Sequence, residues 1–347
     1  MHFESALHLC YNSSMEWGIL GHQWAVDLLA QHAAHDGLRH AYLFTGPPGI
    51  GRRTLALRLA QAVNCLKPPL PGQPCGACPA CVRLSKMQHP DLTVTQAEQT
   101  GGTLKVEQVR ELQRSLSLAP YEARYRVALL LRFEEANPSA ANALLKTLEE
   151  PPAQVLLLLT AESLESLLPT IVSRCESIRL RPLPLQDVAA GLEQRWGIPR
   201  EQALLLAHLS GGRPGTAVRM HEHPEVLEAR QTWLNDLASL MHAARVERFA
   251  YAQAAVKAAA EGKDSLRQCL MVWISFWHDV IYQACGSAAP LTNLDWAAQA
   301  NEWGEIFGLA RSRAALERIE HTLTLIDANV HPRLALETLF LDLPRLP

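Results

Sequence analysis

The sequence lacks a strong net charge, a membrane-spanning run and internal repeats, and these absences exclude several classes of protein. The formal net charge is only -3 over 347 residues, so no strong basic field marks a nucleic-acid-binding face. Any contact with DNA must therefore be local or shared with partners. The most apolar late stretch, residues 269–277, is shorter than the ~20 apolar residues of a membrane span. No low-complexity tract is present either.

The N-terminal residues lack the features of a secretory signal peptide. They contain neither a basic region nor a long apolar run, and Met15 is a second candidate start residue. We expect residues 1–16 to form a disordered or extra N-terminal segment. The protein is accordingly expected to be cytoplasmic and to have no contact with a membrane.

The first half of the chain alternates between predicted strands and helices. Near-continuous apolar runs are typical of strands that are buried on both faces of a parallel sheet. The predicted strands are residues 41–45, 91–95, 126–131, 154–160 and 177–183. The predicted helices between them are residues 53–65, 105–118 and 138–152. Five strands with helical crossovers predict a doubly wound α/β domain.

Beyond about residue 183 the strand signals disappear. Residues 184–220 predict a few short helices with a glycine-rich break at 211–215, and residues 225–347 are predicted to be helical. We therefore predict an α/β domain over residues 17–182, a small helical lid over 183–224 and an all-α domain over 225–347.

The stretch GPPGIGRRT resembles a phosphate-binding loop that has lost two of its side chains. Gly46, Gly49 and Gly51 occupy the glycine positions, between a predicted strand and a predicted helix. Arg52, however, stands where lysine reaches the β- and γ-phosphates, and Arg53 stands where a hydroxyl binds Mg²⁺. Arginine carries charge but is not equivalent to lysine. The intact loop backbone leaves open the binding of ATP or ADP without turnover.

The acidic residues of an ATPase are also missing from their expected strand. Metal-assisted hydrolysis of ATP requires a carboxylate at the end of a neighbouring strand, where Leu131 and Arg132 stand in this sequence. Glu134 and Glu135 lie farther along, and we interpret them as a solvated helix start rather than a catalytic pair. Two catalytic elements are thus degraded together.

Four cysteines cluster within seventeen positions and predict a metal site. Their spacing is Cys65-x9-Cys75-x2-Cys78-x2-Cys81, in a segment too rich in proline and glycine to form its own core. Four thiolates are the ligand set of closed structural zinc sites. We therefore predict one structural zinc in a module over residues 65–81, with a redox-active pair as the alternative.

Several longer motifs resemble one known family. NPSAANALLKTLEEPP at 137–152 and LLPTIVSRC at 167–175 resemble the gamma/tau and delta-prime subunits of the clamp loader of bacterial DNA polymerase III. The stretches at 17–31 and 329–343 and the four cysteines extend the resemblance over nearly all residues from 17 on. The resemblance implies an AAA+ module, made of an α/β domain and a lid, followed by a helical collar domain that mediates oligomerisation.

The departures from the family pattern favour the delta-prime type over the gamma/tau motors. Besides the degraded loop and strand end, Gly215 stands where the motors carry a nucleotide-sensing arginine. The resemblance implies a hetero-pentamer with gamma/tau and delta subunits that loads a sliding clamp onto primed DNA in replication. In it, this chain would be a stator-like end without ATPase activity of its own.

One residue is implied to keep a role in nucleotide chemistry. Arg174 lies in the motif Ser173-Arg174-Cys175, and in the family this arginine points at the ATP of the neighbouring subunit. An arginine finger in trans stabilises charge on the transferring phosphoryl group. Without the family, the residues alone favour an arginine that caps helix-end carbonyls.

Two alternatives to this function remain. The first alternative is a weak gamma/tau-type ATPase in which Arg52 replaces lysine. The second is a zinc-ordered helical scaffold without a role in nucleotide chemistry. Lys146 and the pair Glu149-Glu150 are explained equally well by contact with DNA and by solvation. The aromatic stripe of Trp273, Phe276, Trp277 and Tyr282 is interpreted as core or subunit interface rather than as a base-stacking platform.

Overall fold

A computed structural model describes most of the chain. It covers residues 17–35, 37–99, 101–259, 264–328 and 330–346. The predicted disordered or extra segment 1–16 lies outside the described residues. Among the described helices, none combines the length and the hydropathy that a membrane span requires.

A five-stranded parallel sheet forms the centre of the first half of the chain. The strands, in chain order, are β1 Ala41–Thr45, β2 Leu92–Thr95, β3 Arg126–Leu130, β4 Val155–Ala161 and β5 Glu176–Arg179. Their order in the sheet is β2-β3-β4-β1-β5, with every neighbouring pair parallel. The α/β class predicted from the apolar runs is therefore confirmed.

Of the helices before the end of β5, the first precedes β1 and the others lie in the crossovers that parallel pairing requires, since parallel strands cannot be joined by a tight turn. They are α1 Gln23–Ala34, α2 Arg52–Asn64, α3 Pro79–Ser85, α4 Val106–Leu116, α5 Pro138–Glu149 and α6 Pro169–Val172. The remaining helices are α7 Leu185–Trp196, α8 Arg200–Leu209, α9 Pro214–Glu222, α10 Pro224–His242, α11 Arg245–Ala259, α12 Asp264–Ala284, α13 Ala297–Asp327 and α14 Pro332–Asp342.

The fifth strand is shorter than predicted. It ends at Arg179, whereas the apolar pattern predicts a strand as far as residue 183. The N–H of Leu180 still donates to the carbonyl oxygen of Thr45, at 2.7 Å, but there β1 ends as well. Pro182 then has no N–H to donate, so the ladder cannot continue.

Side chains of β1 alternate between two hydrophobic cores on opposite faces of the sheet. Tyr42 and Phe44 pack with residues of α1 and α2 on one face. Ala41 and Leu43 pack with residues of α4 and α5 on the other. Because both faces are covered, the strand is apolar at almost every position.

The chain divides into two compact units. One contains residues up to Val188 together with Gly212–Thr216, and the other contains Ala189–Gly211 and the residues from Ala217 onward. The predicted boundaries near 183 and 225, between α/β domain, lid and collar, remain a prediction.

The second unit has its own core, rich in aromatic side chains. Trp273, Phe276 and Trp277 of α12 are at most 1% exposed, and they pack with Trp303 of α13. The ring centroids of Phe276 and Trp303 lie 5.1 Å apart with nearly perpendicular planes, a favourable edge-to-face arrangement. These aromatic residues form the core of the helical unit, and they are unavailable for stacking on nucleic-acid bases.

Candidate functional site

The three glycines of the loop between β1 and α2 adopt backbone conformations that favour glycine. Gly46, Gly49 and Gly51 all have positive φ, at 143°, 81° and 108°. A side chain at Gly49 would collide with Thr216, and one at Gly46 would collide with the carbonyl oxygen of Leu180. Glycine is therefore required at both positions, for backbone conformation and for space.

The segment Gly212–Thr216 lies directly on this loop. The N–H of Gly215 donates to the carbonyl oxygen of Gly49, at 2.8 Å. A Cβ at residue 215 would lie 2.9 Å from the same oxygen, so any larger residue would have to move away. Gly215, at the position implied to carry a sensing arginine in the motors, instead permits close contact between this segment and the loop.

Arg52 is the first residue of α2, and its charge interacts with carboxylates of its own chain. Burial lowers the pKa of its guanidinium, while the carboxylates of Glu134 and Glu162 act in the opposite direction. Its Nη1 atom is buried and has no hydrogen-bond partner among the described residues. The cation at the lysine position thus faces carboxylates of its own chain. Arg53 is exposed.

The interpretation of Glu134 and Glu135 as a solvated helix start is correct about the helix start and wrong about the solvation. They lie in a short 3₁₀ turn, Phe133–Glu135, and the Glu135 side chain is 11% exposed. Burial raises the pKa of Glu134, and the charge of Arg52 lowers it in part. The apolar residue Phe133 anchors this turn in the core, so the acids that follow are partly buried with it.

The end of β3 offers no carboxylate for a metal ion. Leu131 is buried, and Arg132 adopts a left-handed conformation with φ 50°. The Arg132 N–H donates to the hydroxyl of Thr160 at 2.9 Å, and its side chain pairs with Glu135 at 2.8 Å. The acids near the loop therefore serve as partners for arginines.

Arg174 follows the short helix α6 and lies at the surface of the α/β unit. Its Nη1 donates to the carbonyl oxygen of Thr170 at 2.9 Å, and its Nη2 lies 2.7 Å from Oε1 of Glu149. The side chain is 35% exposed and lines a surface cleft of about 460 Å³. Arg174 thus caps a carbonyl, as the residues alone predicted, and remains accessible. Sequence reasoning missed its pairing with Glu149, which no spacing along the chain indicates.

The two other residues of the motif contribute no exposed reactive group. Ser173 ends α6, and its hydroxyl donates to the carbonyl oxygen of Thr170, at 3.2 Å. Burial raises the pKa of the Cys175 thiol to about 12, so the thiol is protonated at neutral pH. Arg174 is therefore the residue of this motif that can meet an anion.

The four cysteines predicted as metal ligands converge. The Sγ atoms of Cys65, Cys75, Cys78 and Cys81 all lie within 4.8 Å of one another, and none of the four forms a disulfide. Tetrahedral zinc with bonds of about 2.3 Å places its sulfur ligands about 3.8 Å apart. The separation of Cys75 and Cys81 is 4.0 Å. The donor set and its geometry therefore fit zinc.

Backbone N–H groups around the cluster favour thiolates. The N–H of Cys75 donates to Sγ of Cys65 at 3.3 Å, and the N–H of Cys78 donates to Sγ of Cys75 at 3.3 Å. The N–H groups of Cys78 and Ala77 lower the pKa of Cys75 to about 6. Burial raises the pKa of Cys81. A bound cation is what would let all four sulfurs carry charge together.

Comparisons with known proteins agree with the motifs. Residues 21–184 match the family described as DNA polymerase III, delta subunit. The DNA polymerase III subunit delta′ of Pseudomonas aeruginosa is 42% identical over 198 residues, which are 55% of this chain and 57% of that protein. The delta′ subunit of Bacillus subtilis is 32% identical over 203 residues, or 58% of this chain and 60% of that protein.

The chain is also similar to subunits of the tau type. The DNA polymerase III subunit tau of Escherichia coli is 33% identical over 175 residues, which are 50% of this chain and 27% of that protein. The aligned part of this chain thus spans about three fifths of its delta′ relatives and about a quarter of tau.

Proposed function

Because residues 21–184 match the family described as DNA polymerase III, delta subunit, we propose that this chain is a delta-prime-like subunit of a bacterial clamp loader. Its partners are gamma/tau and delta subunits and a sliding clamp, which the hetero-pentamer loads onto primed DNA in the cytoplasm. The proposal rests on the similarity to delta′ subunits, combined with a glycine-rich loop in which the cation at the lysine position, Arg52, interacts with carboxylates of its own chain.

The proposed subunit does not hydrolyse ATP itself. Arg52, at the lysine position, interacts with the carboxylates of Glu134 and Glu162. Phosphates that enter the loop would therefore be repelled by these two negative charges. The contact between Gly215 and Gly49 also covers the loop. At the end of β3, Arg132 stands where a magnesium-binding acid is required.

Arg174 is proposed to act on the ATP of the neighbouring subunit. It is accessible at the surface, permanently charged and able to bind phosphate oxygens in a fork. The zinc proposed for the four cysteines has a structural role, because a closed site of four protein ligands leaves no position for substrate.

The proposal is tested by the ATP turnover of a reconstituted loader that contains Arg174→Ala. An arginine finger contributes about 10³-fold or more to phosphoryl transfer in related NTPases, so turnover at the neighbouring site should be nearly lost. The total rate of ATP hydrolysis should fall by the fraction that the neighbouring site contributes to it, and the rate of clamp loading should fall as well. Arg179→Ala, which removes an exposed arginine from β5, is the matched control.

Unchanged turnover with Arg174→Ala, in a complex that assembles normally by size-exclusion chromatography, would contradict a role in trans. The tau relatives support one rival function, a weak ATPase of the gamma/tau type. Phosphate release by the isolated chain separates the two functions, because only the rival turns over ATP without a neighbour.

A further inference from the structure

Glu149 connects the last turn of α5 to the arginine proposed as a finger. Its Oε1 lies 2.7 Å from Nη2 of Arg174, close enough for a hydrogen-bonded ion pair. The helix holds this side chain in place, since α5 packs its apolar face, including Leu144 and Leu148, into the core beneath the sheet. The carboxylate is therefore presented from a rigid element rather than from a loop.

A second anchor holds the other terminal nitrogen of the same guanidinium. Nη1 of Arg174 donates to the carbonyl oxygen of Thr170 at 2.9 Å and lies 3.4 Å from the hydroxyl of Ser173. A guanidinium has five N–H groups, so these contacts leave at least two of them for phosphate oxygens. The two anchors belong to different helices and together fix the plane of the group.

We propose that Glu149 is a positioning residue that pre-orients Arg174 for the neighbouring subunit's ATP. This inference rests on the proposed function of Arg174. An unrestrained arginine side chain samples many rotamers, and the loss of this freedom on contact with phosphate costs free energy. Anchoring in the free subunit meets part of that cost before assembly.

The pair is exposed enough for the arginine to keep its attraction for phosphate. The side chains of Arg174 and Glu149 are 35% and 50% exposed, so water screens the carboxylate. The next acid, Glu150, lies at the end of the helix, is exposed, and has no ion pair among the described residues. It therefore offers a matched control of the same charge one position away.

The test compares Glu149→Gln, Glu150→Gln, Arg174→Ala and the double variant Glu149→Gln/Arg174→Ala in the reconstituted loader. Exposed ion pairs contribute at most about a factor of five, so Glu149→Gln should lower kcat at the neighbouring site by about three- to fivefold. The KM for ATP should not change, and Glu150→Gln should match the wild type. Glu149→Asp should restore part of the rate.

The double variant decides whether Glu149 acts through Arg174. If it does, Glu149→Gln has no further effect once Arg174 is alanine. If Arg174→Ala abolishes turnover at the neighbouring site while Glu149→Gln leaves turnover normal or raises it, this inference is overturned and the proposed function stands. Equal additional losses in both backgrounds also overturn it, while no effect of Arg174→Ala refutes the proposed function instead. Circular dichroism and size-exclusion chromatography confirm that each variant folds and assembles.

Discussion

Arg52 illustrates how one side chain changes what a loop can bind. The three glycines of the loop keep a positive φ, yet the guanidinium of Arg52 is partly buried and interacts with Glu134 and Glu162. Lysine in the same place is a compact charge that turns toward a ligand, whereas arginine is bulkier and planar. The charge of Arg52 is therefore already in interaction with carboxylates of its own chain, which would compete with the phosphates of a nucleotide.

Asp91 carries a pH-dependent part of the stability of the α/β unit. Its carboxylate is 1% exposed and accepts hydrogen bonds from the N–H groups of Tyr121, Glu122 and Ala123 at 2.6 to 2.9 Å. Burial raises the pKa of Asp91, but these donors and Arg126 outweigh burial and lower it below its usual value. A lowered pKa means that ionised Asp91 stabilises the folded state.

We predict that Asp91→Asn lowers the free energy of unfolding at pH 7 by about 1–3 kcal/mol, because an amide group would face N–H donors. The carboxylate contributes above its unfolded pKa of about 3.9, and this contribution is lost as the pH falls through the folded pKa. Urea unfolding from pH 7 toward pH 3 should therefore show the two proteins converging. Asp187→Asn, at an exposed position, should stay within about 0.5 kcal/mol of wild type throughout. A constant gap at all pH values would contradict the role of the ionised form.

At the scale of elements, the local pattern of apolar residues is sufficient to predict the positions of the strands and helices compared here. Strand β1 coincides with the predicted run 41–45, and α2 lies within one residue of the predicted 53–65. Continuous apolar runs and the glycine-rich turn between these two elements are sufficient signals, because burial on both faces leaves little room for other residues.

The parts of the site that sequence missed depend on the order of strands in the sheet. Glu134 follows β3 and Arg52 follows β1, and these two strands flank β4 in the sheet. The two residues therefore interact although they are more than eighty positions apart. The pairing of Glu149 with Arg174 likewise brings together the ends of two helices. Spacing along the chain carries no signal for either contact, so solvated charges were the natural interpretation.

The cysteine module is the element that we propose to be ordered by a bound zinc ion. We predict about one zinc per purified chain by elemental analysis, and a loss of that zinc in Cys81→Ser, since three thiolates do not close the site. Cys285→Ser, which changes an exposed cysteine outside the cluster, should keep its zinc. A chain that folds fully without zinc would refute the structural role.

At the scale of the whole molecule, two units with separate cores share one chain. Six tryptophans lie in the second unit, and Trp17 and Trp24 lie in the first, so tryptophan fluorescence reports mainly on the helical unit. The cysteine cluster lies in the first unit. The two units can therefore be followed by different signals.

We predict that chelation of zinc destabilises the first unit alone. Denaturant unfolding should show two transitions, because separate cores need not unfold together. A chelator should shift the unfolding transition that is measured by the reaction of exposed thiols with a colorimetric reagent. The midpoint of the transition that is measured by tryptophan fluorescence should stay unchanged within error. A single transition that moves as a whole would show that the units unfold cooperatively.

The strand order also sets when the chain can fold during synthesis. The inner strand β1 pairs with β4 and β5, and Ala41 has its partner at Leu157, 116 positions later (157 − 41). At about 5–20 residues per second, a ribosome needs about 6–23 s to make that distance. During that interval the apolar run AYLFT has no partner on either edge, and it must be shielded from other nascent chains. A strand with neighbours on both sides in the finished sheet is thus the one that waits longest for them, and chaperone contact on the ribosome should centre on it.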